Sequence, residues 1–144
     1  MSKIRKLREK PEFPKALACG MLEDSGRILF LVQKDRHGIE RLELPYALVY
    51  PGQDPAALLK IAFEEQAGID AEIGEIVRES RHNAGSRRKR KVIPCLIFKV
   101  FAKNTRARPS SGFSGVKWLS LEKAGEAKLG RKSEWLRKGK KSGG

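Results

Sequence analysis

Cysteine, histidine and aromatic residues are scarce in this chain, and it has no long apolar run. Its 144 residues include two cysteines and two histidines. Neither His37 nor His82 has a second His or Cys at ligand spacing, so no zinc site is expected. Cys19 and Cys95 each lie inside an apolar run, which reads as a pair of buried reduced thiols; a disulfide or a metal pair is the other arrangement open to them. No stretch approaches the roughly 20 apolar residues that a bilayer span requires. Met1 to Lys10 is basic without an apolar stretch, so a secretory signal is not expected. No basic amphipathic helix is long enough to favour a membrane surface. The expected setting is cytoplasmic, with no membrane partner.

Acidic residues are also few. Asp and Glu total 17 against 31 Lys and Arg, a formal net charge of +14. A domain this basic implies a polyanionic partner, with nucleic acid the first candidate. What the chain does have is apolar material: 40% of its residues are hydrophobic, enough for one core in one domain. We read a basic arm over residues 1–13, a folded domain over 14–129 and a basic tail over 130–144.

Lys15 to Leu22 and Arg27 to Gln33 read as strands joined by turn chemistry at Glu23 to Gly26, hence a hairpin. A turn over Asp35 to Gly38 leads to a short strand over Ile39 to Leu44. Asp54 and Pro55 then form a helix start, since the carboxylate caps and proline suits the first turn. Leu58, Leu59, Ala62, Phe63 and Gln66 recur at helical spacing, with Lys60, Glu64 and Ala67 left to other faces. Gly68 ends the helix. A strand over Ala71 to Arg81, a polar loop over Asn83 to Lys91 and a strand over Val92 to Phe101 follow. Pro94 implies an edge position or a bulge near the start of that strand. Gly115 to Leu121 is a last strand and Glu122 to Leu129 a helix. The pattern is mixed α/β or α+β with a single core.

The segment from Leu44 to Ile69 resembles a Nudix box, whose pattern is G-x5-E-x7-R-E-U-x-E-E-x-G-U. Leu44 and Pro45 match the usual lead-in, Pro51 and Gly52 the internal Pro-Gly, and Gly68 and Ile69 the close. In that gap-free register Phe63 takes the apolar position and Glu65 the first of the paired glutamates. Val116 to Leu119 and Glu122 resemble the late strand and helix start of the same proteins. The resemblance implies a Nudix-like α/β/α sandwich with a mixed sheet, one Nudix-type helix and a C-terminal helix.

The departures bear on chemistry. Ala47 replaces the opening Gly, Gln53 the first Glu, Ile61 and Ala62 the Arg-Glu pair, and Gln66 the last Glu. In family members that hydrolyse nucleoside diphosphate derivatives, those carboxylates hold divalent metals against the pyrophosphate. Mg²⁺ and Mn²⁺ prefer anionic oxygen ligands, and the metal polarises phosphorus and helps form the attacking hydroxide. Glutamine carries no charge and alanine no ligand. Only Glu65 stays in a metal-binding position, and Glu64 is turned about 100° away. The expectation is a degenerate box with no catalytic residue, no bound metal and no cofactor.

Positive charge is clustered. Arg87, Arg88, Lys89, Arg90 and Lys91 run unbroken in the loop before the strongest strand. Lys99, Lys103, Arg106 and Arg108 form a looser group, and Arg131, Lys132, Arg137 and Lys138 lie in the tail. Adjacent like charges need a counter-charge to sit compactly, and arginine's planar fork matches phosphate. Tyr46 and Tyr50 flank the stretch where a Nudix protein holds its ligand; they either stack on bases or pack on the core. Trp118 is a core residue, and Trp135 is read as docking the tail onto the domain.

Three functions follow as expectations. The first is RNA binding by a catalytically degenerate Nudix-fold protein, in a ribonucleoprotein such as the ribosome; family members that lost hydrolysis bind RNA, which sets RNA ahead of DNA. The second is a divergent hydrolase of nucleotide or RNA 5′-end pyrophosphate bonds, using Glu65 with Mg²⁺ or Mn²⁺. The third is a protein-interaction or nucleotide-sensing module.

Overall fold

In the computed structural model, residues 13–137 are described; Lys138 and the basic arm before Phe13 lie outside the described residues. Among the described residues the elements run β1 (Ala16–Asp24), β2 (Arg27–Lys34), β3 (Glu40–Glu43), β4 (Tyr46–Val49), α1 (Pro55–Ala67), β5 (Glu72–Asn83), β6 (Val92–Phe101), β7 (Gly115–Leu119) and α2 (Leu121–Glu126), followed by a 3₁₀ turn at Arg131–Ser133 and helical residues from 135. Along the sheet the order is β3-β2-β1-β6-β5, with β4 paired to β1 and β7 to β2. The β1–β6 pairing is parallel and the others are antiparallel, so the sheet is mixed.

β1 is buried almost throughout because both faces of the sheet are covered. Alternate side chains enter two cores. Leu17 and Cys19 point to one, with Phe30, Cys95, Ile97, Trp135 and Leu136. Ala18 and Leu22 point to the other, with Leu59, Phe63, Phe98 and Val100. The helix α1 closes the second face, while α2 and the segment after it close the first. Burying Phe63 alone contributes about 1.5–3 kcal/mol. The molecule is thus an α/β/α sandwich, as the resemblance implied.

The helix ends are as read. Asp54 accepts a hydrogen bond from the Ala56 N–H, Pro55 opens the helix, and Gly68 at φ 66° closes it. Ala67 differs from its expected place on an outer face: it is fully buried, because the inward stripe continues from Phe63 by one turn. β4 was not read from sequence. It is four residues long and lies between Pro45 and Pro51, which hides its pattern. Pro94 sits in an interior strand, but β1 pairs with β6 only from Cys95 onward, so the missing N–H lies beyond that ladder. Trp135 and Leu136 are buried in the first core, so the described tail is docked. Among the described residues no helix is long and apolar enough to cross a membrane.

Candidate functional site

Two places carry the residues singled out above: the box helix and the basic loop. In the box helix, Gln66 does not stand in for a carboxylate ligand. Its Oε1 accepts from the Tyr46 N–H at 3.1 Å, and its Nε2 donates to the Tyr46 carbonyl at 2.8 Å. Both ends of the amide are spent holding β4 against α1. Gln53 is used in the same way, its Oε1 accepting from the Tyr50 N–H at 2.9 Å. Glu65 is exposed on the helix, Ile61 is exposed beside it, and Ala62 is buried. Among the described residues no three His, Cys, Asp or Glu gather where they could hold a metal ion. The residues present therefore do not fit the divalent cations that the family's box implies, because the hard, anionic donor set is missing.

Hydrogen bonds of its own backbone shape the basic loop, whose run Arg87–Lys91 is exposed. Asn83 at the end of β5 accepts from the Gly85 and Lys91 N–H groups and donates to the Ser86 carbonyl. The Ala84 N–H reaches the Lys91 carbonyl at 2.8 Å, which closes a hairpin between β5 and β6. Gly85 is required by close approach, since a Cβ there would collide with the Lys89 carbonyl. From outside the hairpin, Arg131 Nη2 donates to the carbonyls of Asn83 and Gly85, both at 3.1 Å. The C-terminal segment thereby clamps the loop.

This arrangement gathers arginines from four parts of the chain around one concavity of about 980 Å³. Arg36 comes from the β2–β3 turn, Arg81 from β5, Arg87 and Arg90 from the loop, and Arg131 from the C-terminal segment. Glu134 is the one acidic residue in that lining, beside His82 and Trp135. Arg36 and Arg81 were not among the sequence candidates. They carry no local signal, and only the fold brings them beside the run at Arg87–Lys91.

The remaining candidates divide. Lys132 lies next to the loop and holds its Nζ 4.6 Å from the centroid of the Tyr46 ring, so that ring face already has its cation. Tyr50 is half-buried and lines a second, smaller concavity with Arg131 and Lys132. Arg137 donates to the Ala127 carbonyl. Arg88, Lys89 and Lys91 are exposed on the loop, outside the lining of the large concavity. Lys99 and Lys103 border other hollows that share no residue with it. Arg108 is tied through its N–H to the Ala67 carbonyl at the end of α1, and Arg106 is exposed nearby in sequence. The structure therefore joins the loop to the C-terminal segment and leaves the group from Lys99 to Arg108 elsewhere.

Burial beneath the site has chemical consequences. Glu43, on β3, is 4% exposed and accepts from Ser133 Oγ–H at 2.8 Å. Desolvation raises its pKa, opposed by the Ser133 hydrogen bond and the Lys132 charge. The His82 pKa is lowered, first by burial and then by the charges of Lys132 and Arg131. The Cys19 and Cys95 sulfurs lie 3.8 Å apart and unbonded. Sequence reasoning passed over Glu43 because a single acid in a short strand gives no sign of burial.

The family model for the NUDIX domain matches residues 12–139. No curated protein sequence matches. Among solved structures, the MutT protein of Methanosarcina mazei superposes with a TM-score of 0.68 at 16% identity, covering 93% of this chain and 97% of that one. A NUDIX hydrolase from Nitrosomonas europaea gives 0.67 at 11% identity, covering 90% of each chain. A C. elegans Ap4A hydrolase gives 0.60 at 20% identity, covering 85% of this chain and 93% of that one.

Proposed function

The chain belongs to the NUDIX family, and from that premise we propose that it is a member that binds RNA and does not hydrolyse pyrophosphate bonds. The observation that carries this reading is the convergence of Arg36, Arg81, Arg87, Arg90 and Arg131 on one concavity with a single acidic neighbour. Guanidinium groups match phosphate oxygens in pairs, and a concave wall of them concentrates the field. Loss of hydrolysis is supported by Gln66, whose amide is committed to the β4 backbone, and by Ala62, where the family has a carboxylate. The partner is RNA in preference to DNA, within a ribonucleoprotein. Unbonded Cys19 and Cys95 suit a reducing, cytoplasmic setting.

Fluorescence anisotropy with structured RNA, single-stranded RNA and matched DNA across a salt series tests it. Replacing Arg87 and Arg90 with Gln is expected to weaken RNA binding and to reduce the log–log salt slope by about 1.5–2, two phosphate contacts' worth. Replacing Lys99 and Lys103 removes the same charge away from the concavity and is expected to change affinity by less than about twofold. Equal losses in the two variants would reduce the binding to net-charge attraction and refute the site.

A second reading, hydrolysis of nucleotide or RNA 5′-end pyrophosphate bonds, draws support from the solved neighbours, several of which are described as hydrolases. Glu65 would be its remaining family ligand. Turnover of any such substrate with Mg²⁺ or Mn²⁺, abolished by Glu65→Gln, would establish it over the binding reading.

A further inference from the structure

The arginine-lined concavity has a side chamber. It measures about 240 Å³ and shares His82, Asn83 and Arg131 with the larger one as a common wall. That is room for an aromatic base. Pro14, Leu48, Tyr50 and Ala84 line one part of it and Arg131 and Lys132 another, so an aromatic ring and cations share one hollow. A purely electrostatic phosphate track needs no such chamber.

We propose that the two concavities together hold one unpaired nucleotide of an RNA, its base in the side chamber against Tyr50 and its flanking phosphates among the arginines. The proposal rests on the RNA-binding reading above and names the element that is bound. Paired RNA is met by shape and backbone, whereas unpaired nucleotides are splayed out and stacked on aromatic rings. Tyr50 is the ring for that role: Lys132 occupies the face of Tyr46, while no cation is stacked on Tyr50 among the described residues. Asn83 forms wall only, since its side chain is consumed by the loop backbone. His82 is the group that meets the base edge. Its lowered pKa favours the neutral imidazole, and a hydrogen bond to the Arg131 backbone already engages one ring nitrogen, leaving the other for the base. At the wall of the larger hollow, Trp135 carries an indole N–H that is buried without a partner, with Arg78 over its ring at 5.1 Å.

The experiment uses the full chain and three RNA hairpins of one stem sequence: one fully paired, one with a single 2-aminopurine bulge, and one with an abasic bulge. The bulged hairpin is expected to bind about tenfold more tightly than the other two, as one base stacked on an aromatic ring provides. Its 2-aminopurine fluorescence should change on binding. Tyr50→Ala should erase the preference and keep the affinity for the paired hairpin, and Tyr50→Phe should restore the preference, separating stacking from misfolding. Equal binding to all three hairpins, or a preference untouched by Tyr50→Ala, overturns the slot while leaving RNA binding in place. No binding to any hairpin overturns the RNA-binding reading and the slot with it.

Discussion

At the scale of single residues, one glutamine of the box helix fastens that helix to β4. Gln66 bridges both the N–H and the carbonyl of Tyr46. Restoring the family's glutamate there is expected to be harmful: a carboxylate cannot donate, and it would face the Tyr46 carbonyl. Gln66→Glu should therefore lower stability by about 1–3 kcal/mol, read as a fall in the denaturant midpoint, without creating hydrolysis. An unchanged midpoint would show that the bridge is dispensable. Glu43 sets a pH dependence. Burial raises its folded pKa above the ordinary 4.5, so between those two values the folded chain binds the extra proton. Stability must then fall as pH rises through that window. Asp35 works in the opposite sense: its hydrogen bond to Arg41 lowers it from 3.8 to about 2, and the stability it gives is lost as pH falls through that range. Thermal melts of Glu43→Gln should lose the decline above about pH 4.5 and keep the acid limb. A wild-type slope retained in the variant would assign the decline to another group.

At the scale of elements, the segment after α2 matters most. It enters the first core through Trp135 and Leu136, braces β3 through Ser133, and clamps the loop through Arg131. Two buried side chains at about 1.5–3 kcal/mol each make its removal costly. A chain ended at Leu129 is expected to melt well below the full chain or to aggregate through the uncovered face of the sheet; an unchanged melting temperature would make the segment a loose appendage. Its docking was legible in Trp135, an isolated large aromatic among basic residues. The partner surface was not, because Glu43 and Cys19 reach it only through the sheet. The strands β1, β2 and β6 were legible because short runs of consecutive apolar residues mark each of them. β4 was not, and with β4 unread the use of Gln66 could not be seen either.

At the scale of the whole molecule, the sequence told how much charge there is but not where it collects. The run from Arg87 to Lys91 stood out, yet only Arg87 and Arg90 line the concavity, joined there by Arg36, Arg81 and Arg131 from distant positions. Arg36 looked like turn material and Arg81 like the end of a strand. The group from Lys99 to Arg108, equally basic in sequence, is directed to other surfaces by the crossing from β6 to β7. The fold thus collects guanidinium groups from distant positions at one concavity and sets Lys99 and Lys103 at others.

Arg131 binds two carbonyls of the loop. It is also made after every strand of the described residues, and nascent chains fold from the N-terminus forward. On a translating ribosome, the β5–β6 hairpin therefore emerges unclamped and the pocket is finished last. A half-synthesised copy would carry the loop's positive charge without the clamp that shapes it.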